Sequence, residues 1–298
     1  MRPVDALIEH LEAEQARGKT HVLLDDEARE GLRELFVRAR DAARSPAPQQ
    51  ATPKASTSQA EPSAPSTQAA ATPVPAAAPA APPQLKVTGE SREERLASLK
   101  EQAATWAPAT SLGTLRKTMV FATGNPQARL MLVGEAPGHE EERRQEPFVG
   151  PAGRKLNDIL KAMGLSREEV YISNIVKFRP STPRQTTNNR KPTPEEMASC
   201  LPFVMKEIEI VKPDCIMALG GTAAEGLLNL EGSVGGMREQ WHAIDGIPAR
   251  VSYHPSYLLQ SGSGNDVKRK VWEDMLAVMD KLGLPISEKQ RSFFLPKS

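Results

Sequence analysis

The sequence predicts an α/β protein whose main domain has three layers, α/β/α, around a central four-stranded parallel sheet. Three observations lead to this fold class. After Val87, short apolar runs alternate with segments of helical periodicity, which is typical of a single α/β domain. The preceding residues, 46–86, are rich in proline and alanine and hold no aromatic residue, so they lack the apolar surface that folding requires. Before them, apolar residues recur at helical spacing.

These observations divide the chain into three parts. Residues 1–45 form a small helical module, in which residues such as Leu7 and Leu11 follow a helical period. Residues 46–86 are a disordered Pro/Ala-rich linker, and residues 87–298 form the α/β domain. The apolar faces of the module could dock on this domain, contact nucleic acid or engage another protein, and the sequence leaves these alternatives open.

Four apolar runs of the α/β domain are predicted to be buried parallel strands. Helices are predicted between and after them, in the segments AGRKLNDILKAMG, PTPEEMASCLPFVMKEIEIVK, TAAEGLLNL and DVKRKVWEDMLAVMDKLG. The strands are ARLMLVG ending near Gly134, VYISNIVKF around Asn174, CIMALGG ending at Gly220, and ARVSYHPS ending at His254.

Polar residues and glycines follow the predicted strands at comparable positions. Ligands of an open parallel sheet bind outside the carboxyl ends of its strands. We therefore expect the segment Gly134–Gly138 to meet Asn174, Gly220 and His254 in one cleft. Each of these features alone has a structural explanation, since GEAPG could be a tight turn and His254 could simply end a strand. Their common position favours a functional site.

Composition limits the partners and the cellular compartment that we expect for this protein. The formal net charge is +1, which neither demands nor excludes a nucleic-acid partner. The two cysteines argue against a disulfide scaffold and for a reducing compartment. No apolar run of membrane-spanning length occurs, so we expect a soluble, cytoplasmic monomer that binds no membrane.

The motifs GEAPG, PFVGPAG, YISNIVKFRP and YHPSYLL, in this order, resemble those of the uracil-DNA glycosylase superfamily. The resemblance is greatest to its iron-sulfur branch, family four, and extends from about Trp106 to Leu282. It implies a repair enzyme that flips a uracil out of DNA and hydrolyses its glycosidic bond, leaving an abasic site. A glycosylase for another deaminated base, such as hypoxanthine, and a non-cleaving protein that binds uracil or damaged DNA are the alternatives.

The resemblance also implies roles for individual residues. Phe148 would stack on the base, and the Asn174 amide would recognise its edge. His254 would donate to uracil O2, and Glu135 would orient the attacking water, although Glu141 matches a second carboxylate of the family and remains open as the water-activating group. The rest of the base pocket would be Gly134, Ala136, Pro137 and Gly138.

DNA contacts follow from the same resemblance. The segment after His254 would press on the DNA backbone and fill the gap left by the flipped base, and the loop after the second strand would bind phosphates. The residues concerned are Pro255, Ser256, Leu258 or Leu259 in the first segment, and Arg179, Arg184, Arg190 and Lys191 in the loop.

The chain differs from the iron-sulfur branch at the positions of the cysteines that bind the cofactor. The iron-sulfur branch holds a 4Fe-4S cluster with four cysteines, whose positions here are Ala104, Ala107, Phe178 and Cys200. One thiolate cannot replace four, so we predict that the cluster is absent and that no other cofactor or metal is used. Trp106, Phe178 and neighbouring apolar groups are expected to fill the space.

Overall fold

The computed structural model describes residues 84–260 and 264–295. The predicted helical module, 1–45, and all of the predicted linker except its last three residues lie outside the described residues. Within the described ranges, no helix is both long and apolar enough to cross a membrane.

A six-stranded sheet forms the centre of the domain, with a two-stranded sheet beside it. The strand order is β2-β4-β3-β6-β8-β7 in the large sheet and β1-β5 in the small one. The strands are β1 (Leu115–Met119), β2 (Thr123–Gly124), β3 (Leu130–Gly134), β4 (Tyr171–Asn174), β5 (Phe178–Pro180), β6 (Cys215–Leu219), β7 (Trp241–Ile244) and β8 (Ile247–Ser252).

The helices cover both faces of the large sheet. A short 3-10 helix, Pro255–Leu259, follows β8. The α-helices are α1 (Arg92–Ala104), α2 (Ala107–Thr110), α3 (His139–Arg144), α4 (Pro151–Met163), α5 (Pro194–Val211), α6 (Gly221–Leu228), α7 (Val234–Met237), α8 (Asn265–Lys281) and α9 (Glu288–Arg291).

The central strands β4, β3, β6 and β8 are mutually parallel, which confirms the predicted four-stranded parallel sheet. The antiparallel edge strands β2 and β7 were not predicted. Neither has an apolar run that would reveal it, because β2 has two residues and β7 is largely exposed. Edge strands need only one buried face, so their sequences carry a weaker signal.

One predicted strand is wrong in its extent. The apolar run VYISNIVKF is not continuous, since β4 ends at Asn174 and the chain reaches β5 only at Phe178, where it pairs with β1. Between them, the Ile175 and Val176 amides still donate to the carbonyls of Gly134 and Glu135, each at 3.0 Å. All residues of the run VYISNIVKF are buried, so the apolar pattern does not reveal where the pairing partner changes.

The core lies in two layers, one on each face of the sheet. Along β3, Met131 and Val133 pack towards α1 and α5, whereas Leu130 and Leu132 pack towards α4 and α8. This alternation is the period of two expected of a strand. The two layers confirm the predicted α/β/α arrangement, and they place the ends of the parallel strands along one open edge.

Candidate active site

A cavity of about 260 Å³ opens at the carboxyl ends of the central strands. It has the volume of roughly nine liquid water molecules at ~30 Å³ each, which suits one small ring and excludes a dinucleotide. The expected convergence is observed for Gly138, Asn174 and His254, whereas Gly134 and Gly220 do not line the cavity. The lining residues are Glu135, Ala136, Pro137, Gly138, Glu141, Phe148, Ala152, Asn174, Asn189, Arg190, His254 and Ser256.

Gly134 allows the two base-contacting candidates to approach each other. A Cβ added to Gly134 would lie 2.4 Å from Phe148 Cζ and 2.5 Å from Asn174 Oδ1, well inside van der Waals contact. Gly134 and Asn174 are also register partners across β3 and β4. The absence of a side chain at Gly134 thus brings the ring and the amide to one point of the cavity.

The Asn174 amide is buried, yet its polar atoms are not used by the protein. The residue is 2% exposed, and its side chain lines the cavity. Among the described residues no side-chain hydrogen bond uses its Oδ1 or Nδ2, and neither atom belongs to the fully buried polar atoms that lack a partner. The amide therefore keeps its hydrogen-bonding capacity at the cavity, where a ligand could use it.

Phe148 lies on a constrained turn that Glu141 and Arg167 hold in place. Its φ is 54°, a left-handed value that is uncommon outside glycine. Glu141 Oε1 accepts from the Val149 and Gly150 amides at 3.0 and 2.8 Å. Arg167 donates to the Phe148 carbonyl at 2.9 Å. Glu141 is therefore committed to positioning the ring.

Glu135 is half-buried directly after β3, and it has no such backbone commitment. Burial raises the pKa of Glu135 above its ordinary value. The Thr222 hydroxyl, which donates to Glu135 Oε2 at 2.6 Å, and the charge of Lys191 both counter this rise in pKa, while Glu225 adds to it. A carboxylate whose pKa is raised by burial, beside an open cavity, is suited to general base chemistry.

His254 presents a neutral imidazole to the cavity. Burial lowers its pKa to about 4, so the ring is uncharged near neutral pH. Nδ1 accepts from the Ser256 amide at 3.3 Å and lies 2.8 Å from Ser256 Oγ. Since an amide can only donate, the proton of the neutral ring is on Nε2. The His254 ring lies 5.5 Å from the Phe148 ring, centroid to centroid.

The basic loop after β5 is largely bound within the protein. Arg179 is 2% exposed, and it donates to Glu142, Asn189 and two loop carbonyls. The Arg179 guanidinium thus organises the loop from inside, and its contact with a phosphate stays a prediction. Arg190 lines the cavity but pairs with Glu196 through two hydrogen bonds of 2.8 and 2.6 Å. Lys191 is exposed and pairs with Glu225 at 2.8 Å.

The 3-10 helix after His254 separates the two candidate wedge residues. Leu258 packs against the core layer formed by α4 and α8, whereas Leu259 is 46% exposed. The more accessible wedge is thus Leu259. Ser256 is exposed beside the cavity, and Pro255 is buried beneath it.

Sequence reasoning missed three residues of the site. Asn189 and Ala152 line the cavity, and Thr222 binds Glu135 from α6. Ala152 lies within the motif PFVGPAG and Thr222 directly after ALGG, so their positions beside motif residues were available as a signal. Asn189 is on a loop, where no periodic pattern predicts that its side chain reaches the cavity.

The side chains at the predicted cluster positions do not fit an iron-sulfur cluster. Ala104 and Ala107 are exposed and carry no ligand atom, and Phe178 is buried in the core. Trp106 fills this region, with its ring 5.1 Å from Phe203 and its Nε1 donating to the Ser199 carbonyl at 2.8 Å. Burial raises the pKa of the Cys200 thiol, which disfavours the thiolate that metals bind. Across the described ranges, no group of three or more His, Cys, Asp or Glu side chains could hold a metal ion.

A buried ion pair lies directly behind Asn174. Lys177 and Glu207 are both fully buried, with Nζ and Oε1 2.5 Å apart. Ser173 Oγ donates to Glu207 Oε2 at 2.6 Å and accepts from Lys177 Nζ at 2.6 Å. Ser173 precedes Asn174 in β4, so this group ties the end of that strand to α5.

A second buried group lies behind His254. Asp274 of α8 is fully buried and accepts from Arg238 Nε at 2.9 Å, from Arg250 Nε at 3.2 Å and from Ser252 Oγ at 2.8 Å. Ser252 is the last residue of β8. The end of the strand that leads to His254 is thus tied to α8.

Comparison with known proteins agrees with this geometry. The family model described as "Uracil DNA glycosylase superfamily" matches residues 121–276. The chain is 40% identical over 188 residues to a type-4 uracil-DNA glycosylase of Thermotoga maritima, a match that covers 62% of this chain and 93% of that protein. It is 45% identical over 111 residues to a type-4 uracil-DNA glycosylase of Archaeoglobus fulgidus, covering 37% of this chain and 53% of that protein.

A more distant relative shares the same part of the chain. The type-5 uracil-DNA glycosylase of Pyrobaculum aerophilum is 32% identical over 152 residues, covering 45% of this chain and 64% of that protein. The family match spans the central parallel strands and every residue of the cavity. The chain therefore belongs to the uracil DNA glycosylase superfamily.

Proposed function

We propose that the protein is a uracil-DNA glycosylase of DNA repair, which hydrolyses the bond between uracil and deoxyribose and leaves an abasic site. The observation that carries this proposal is the Asn174 amide, which makes no hydrogen bond among the described residues and lines one cavity with Phe148, His254 and Glu135. Membership in the superfamily and similarity to type-4 uracil-DNA glycosylases support it.

Base recognition follows from the ring and the amide. A flipped base would stack on Phe148, whose position is held by the clamped turn. The Asn174 amide would donate to uracil O4 and accept from N3–H. Cytosine has an amino group and an unprotonated nitrogen at those positions, so the same amide orientation would leave polar groups unpaired. Discrimination of this type is large, because buried polar groups without partners are costly.

In bond cleavage, His254 would act on the departing base and Glu135 on the water and the sugar. As the glycosidic bond breaks, its electron pair moves onto the base and charge develops at O2. The Nε2–H of neutral His254 is a donor for that oxygen, and one such contact is worth about 3–4 kcal/mol in the transition state. Glu135 would orient the water that adds to the sugar and would stabilise the positive charge there. Glu141 would position Phe148 and would not activate water, because its Oε1 is bound by two amides.

The DNA would contact the rim of the cavity. Ser256 is exposed for a phosphate contact over buried Pro255, and Leu259 would occupy the space left by the flipped base. Arg190 in the cavity lining and its exposed neighbour Lys191 would supply positive charge. The counter-charges of Glu225 and Glu196 limit this attraction, so we expect few phosphate contacts and a shallow dependence of binding on salt.

The enzyme would be monofunctional and would act without a cofactor. Strand cleavage by a glycosylase needs an amine nucleophile, and within the described residues no lysine lines the cavity. The apolar packing of Trp106, Phe178 and Phe203 supports the absence of a cluster. Purified protein should be colourless and contain no stoichiometric iron, whereas a brown protein with about four irons per chain would overturn this part of the proposal.

The activity is tested with oligonucleotides that hold one uracil, one cytosine or one hypoxanthine, single- and double-stranded. After incubation, hot alkali cleaves abasic sites, and the fragments are separated on a gel. We expect fragments from uracil alone, and none without alkali. Binding without fragments would instead favour the non-cleaving alternative, and cleavage at hypoxanthine with none at uracil would favour the other glycosylase.

The role of Asn174 is tested in the same assay. Asn174→Ala should lower the rate of uracil release by about 100-fold or more, since it removes both base-edge hydrogen bonds. The matched control is Asn265→Ala, which removes an exposed amide that does not line the cavity and should keep the wild-type rate. An unchanged rate for Asn174→Ala would remove this residue from base recognition.

A further inference from the structure

Thr222 is the partner of Glu135 that neither the motifs nor the family resemblance assigned. It follows Gly221 at the start of α6, at the end of β6. Strand β6 is the neighbour of β3, so the residues after these two strands come together at the edge of the sheet. Thr222 is 5% exposed, and its Oγ1 lies 2.6 Å from Glu135 Oε2.

We propose that Thr222 is a positioning residue for catalysis, whose hydroxyl holds the Glu135 carboxylate in its water-orienting position and stabilises its ionised form. This inference rests on the proposed function. The carboxylate has one oxygen, Oε2, bound by Thr222, which leaves Oε1 to face the attacking water. Without this hydrogen bond, the Glu135 side chain could turn away from the base.

The hydroxyl also controls the charge of Glu135. A hydrogen bond to a carboxylate favours its ionised form, and Thr222 is the strongest of the groups that lower the pKa of Glu135 against the effect of burial. Other titratable or charged groups around Glu135 are Lys191 and Glu225, which pair with each other, and Glu141, Arg190 and His254 across the cavity. None of these groups is changed by a substitution at Thr222.

Two substitutions separate the hydroxyl from the shape of the side chain. Thr222→Val keeps the volume and removes the donor, whereas Thr222→Ser keeps the donor and removes a methyl group. The measurement is the single-turnover rate of uracil release at saturating enzyme, from about pH 4.5 to 9, with thermal unfolding as a check that each variant is folded. Glu135→Gln, measured in parallel, identifies the acid limb of the profile that belongs to Glu135.

The wild-type rate should fall on the acid side as Glu135 takes up a proton. In Thr222→Val the pKa of Glu135 rises, so this acid limb should move to higher pH, and the rate at neutral pH should fall by about tenfold, the usual effect of losing a hydrogen bond to a charged group. Thr222→Ser should restore both the limb and most of the rate.

Other outcomes overturn the inference. A Thr222→Val enzyme with the wild-type profile would show that the hydroxyl is dispensable. A uniform loss of rate without a shift of the acid limb would reduce Thr222 to a packing residue. A Glu135→Gln enzyme that keeps the acid limb would remove Glu135 as the titrating group. None of these results would refute the proposed function, which fails only if the wild-type protein releases no uracil.

Discussion

Two segments of the candidate site, which we call its arms, are supported in different ways: the end of β4 at Asn174 and the end of β8 that leads to His254. The arm that ends in Asn174 is supported by one lysine and one glutamate, Lys177 and Glu207, both fully buried. The arm that ends in His254 is supported by one carboxylate, Asp274, which receives two guanidinium groups. The first group has no access to solvent, whereas the second is balanced in part by Glu239, which is exposed and pairs with Arg238.

Under the proposed function, this difference corresponds to what each arm would present to the base. In the proposed function the Asn174 amide keeps a fixed orientation to distinguish uracil from cytosine, and a fully buried pair that Ser173 joins to the end of β4 allows little movement. In the proposed mechanism His254 stays neutral and donates from Nε2, which depends on burial of the ring and on Ser256 more than on rigid support. We infer that the Asn174 arm contributes more to stability, while the His254 arm tolerates more change.

The largest effect should come from breaking the Lys177–Glu207 pair. Glu207→Gln leaves a buried ammonium group without its counter-charge, and such a loss costs about 3–5 kcal/mol. The free energy of unfolding in urea measures it. The double variant Lys177→Met with Glu207→Met is the control, because an apolar pair of similar volume should recover most of the stability. A Glu207→Gln protein as stable as the wild type would contradict the importance of this pair.

A smaller effect is expected at the other arm. Asp274→Asn keeps the shape of the side chain, and Arg238 retains Glu239 and the Lys270 carbonyl as partners. The free energy of unfolding should fall by about 1–3 kcal/mol. Glu273→Gln, next to Asp274 on α8 but partly exposed and paired with Arg269, is the control and should change it by less than about 0.5 kcal/mol. A greater loss for Asp274→Asn than for Glu207→Gln would reverse the comparison.

The effect that is smallest at neutral pH, because it develops only in acid, should be a dependence of stability on pH at the His254 arm. The pKa of His254 is lowered to about 4 in the folded protein, whereas an unfolded histidine titrates near ~6.5. Between these values the unfolded state binds the extra proton, so stability is lost as pH falls from about 6.5 to about 4. His254→Gln should lose less stability than the wild type over this interval. Parallel curves for the two proteins would show that His254 is not held neutral.

The central strands and the major helices were predictable from local patterns. Apolar runs of strand length identified β3, β4, β6 and β8, and helical periodicity identified α5, which begins at Pro194. The edge strand β7 was not predictable, because an exposed edge needs no apolar run. The break between Asn174 and Phe178 was missed for the opposite reason, since both sides of the break are buried.

The candidate site can likewise be divided into what local sequence patterns predict and what tertiary contacts decide. By itself, the sequence determined which residue types end the parallel strands, and hence that Asn174, His254 and the segment Gly134–Gly138 lie at one edge of the sheet. Only the tertiary structure decided what each charged side chain does there. Arg179 is buried inside its loop, Glu141 binds the turn of Phe148, and Glu135 faces the cavity with Thr222 as its partner. The physical reason is that strand position depends on local periodicity, whereas the role of a charge depends on partners that are distant in the chain.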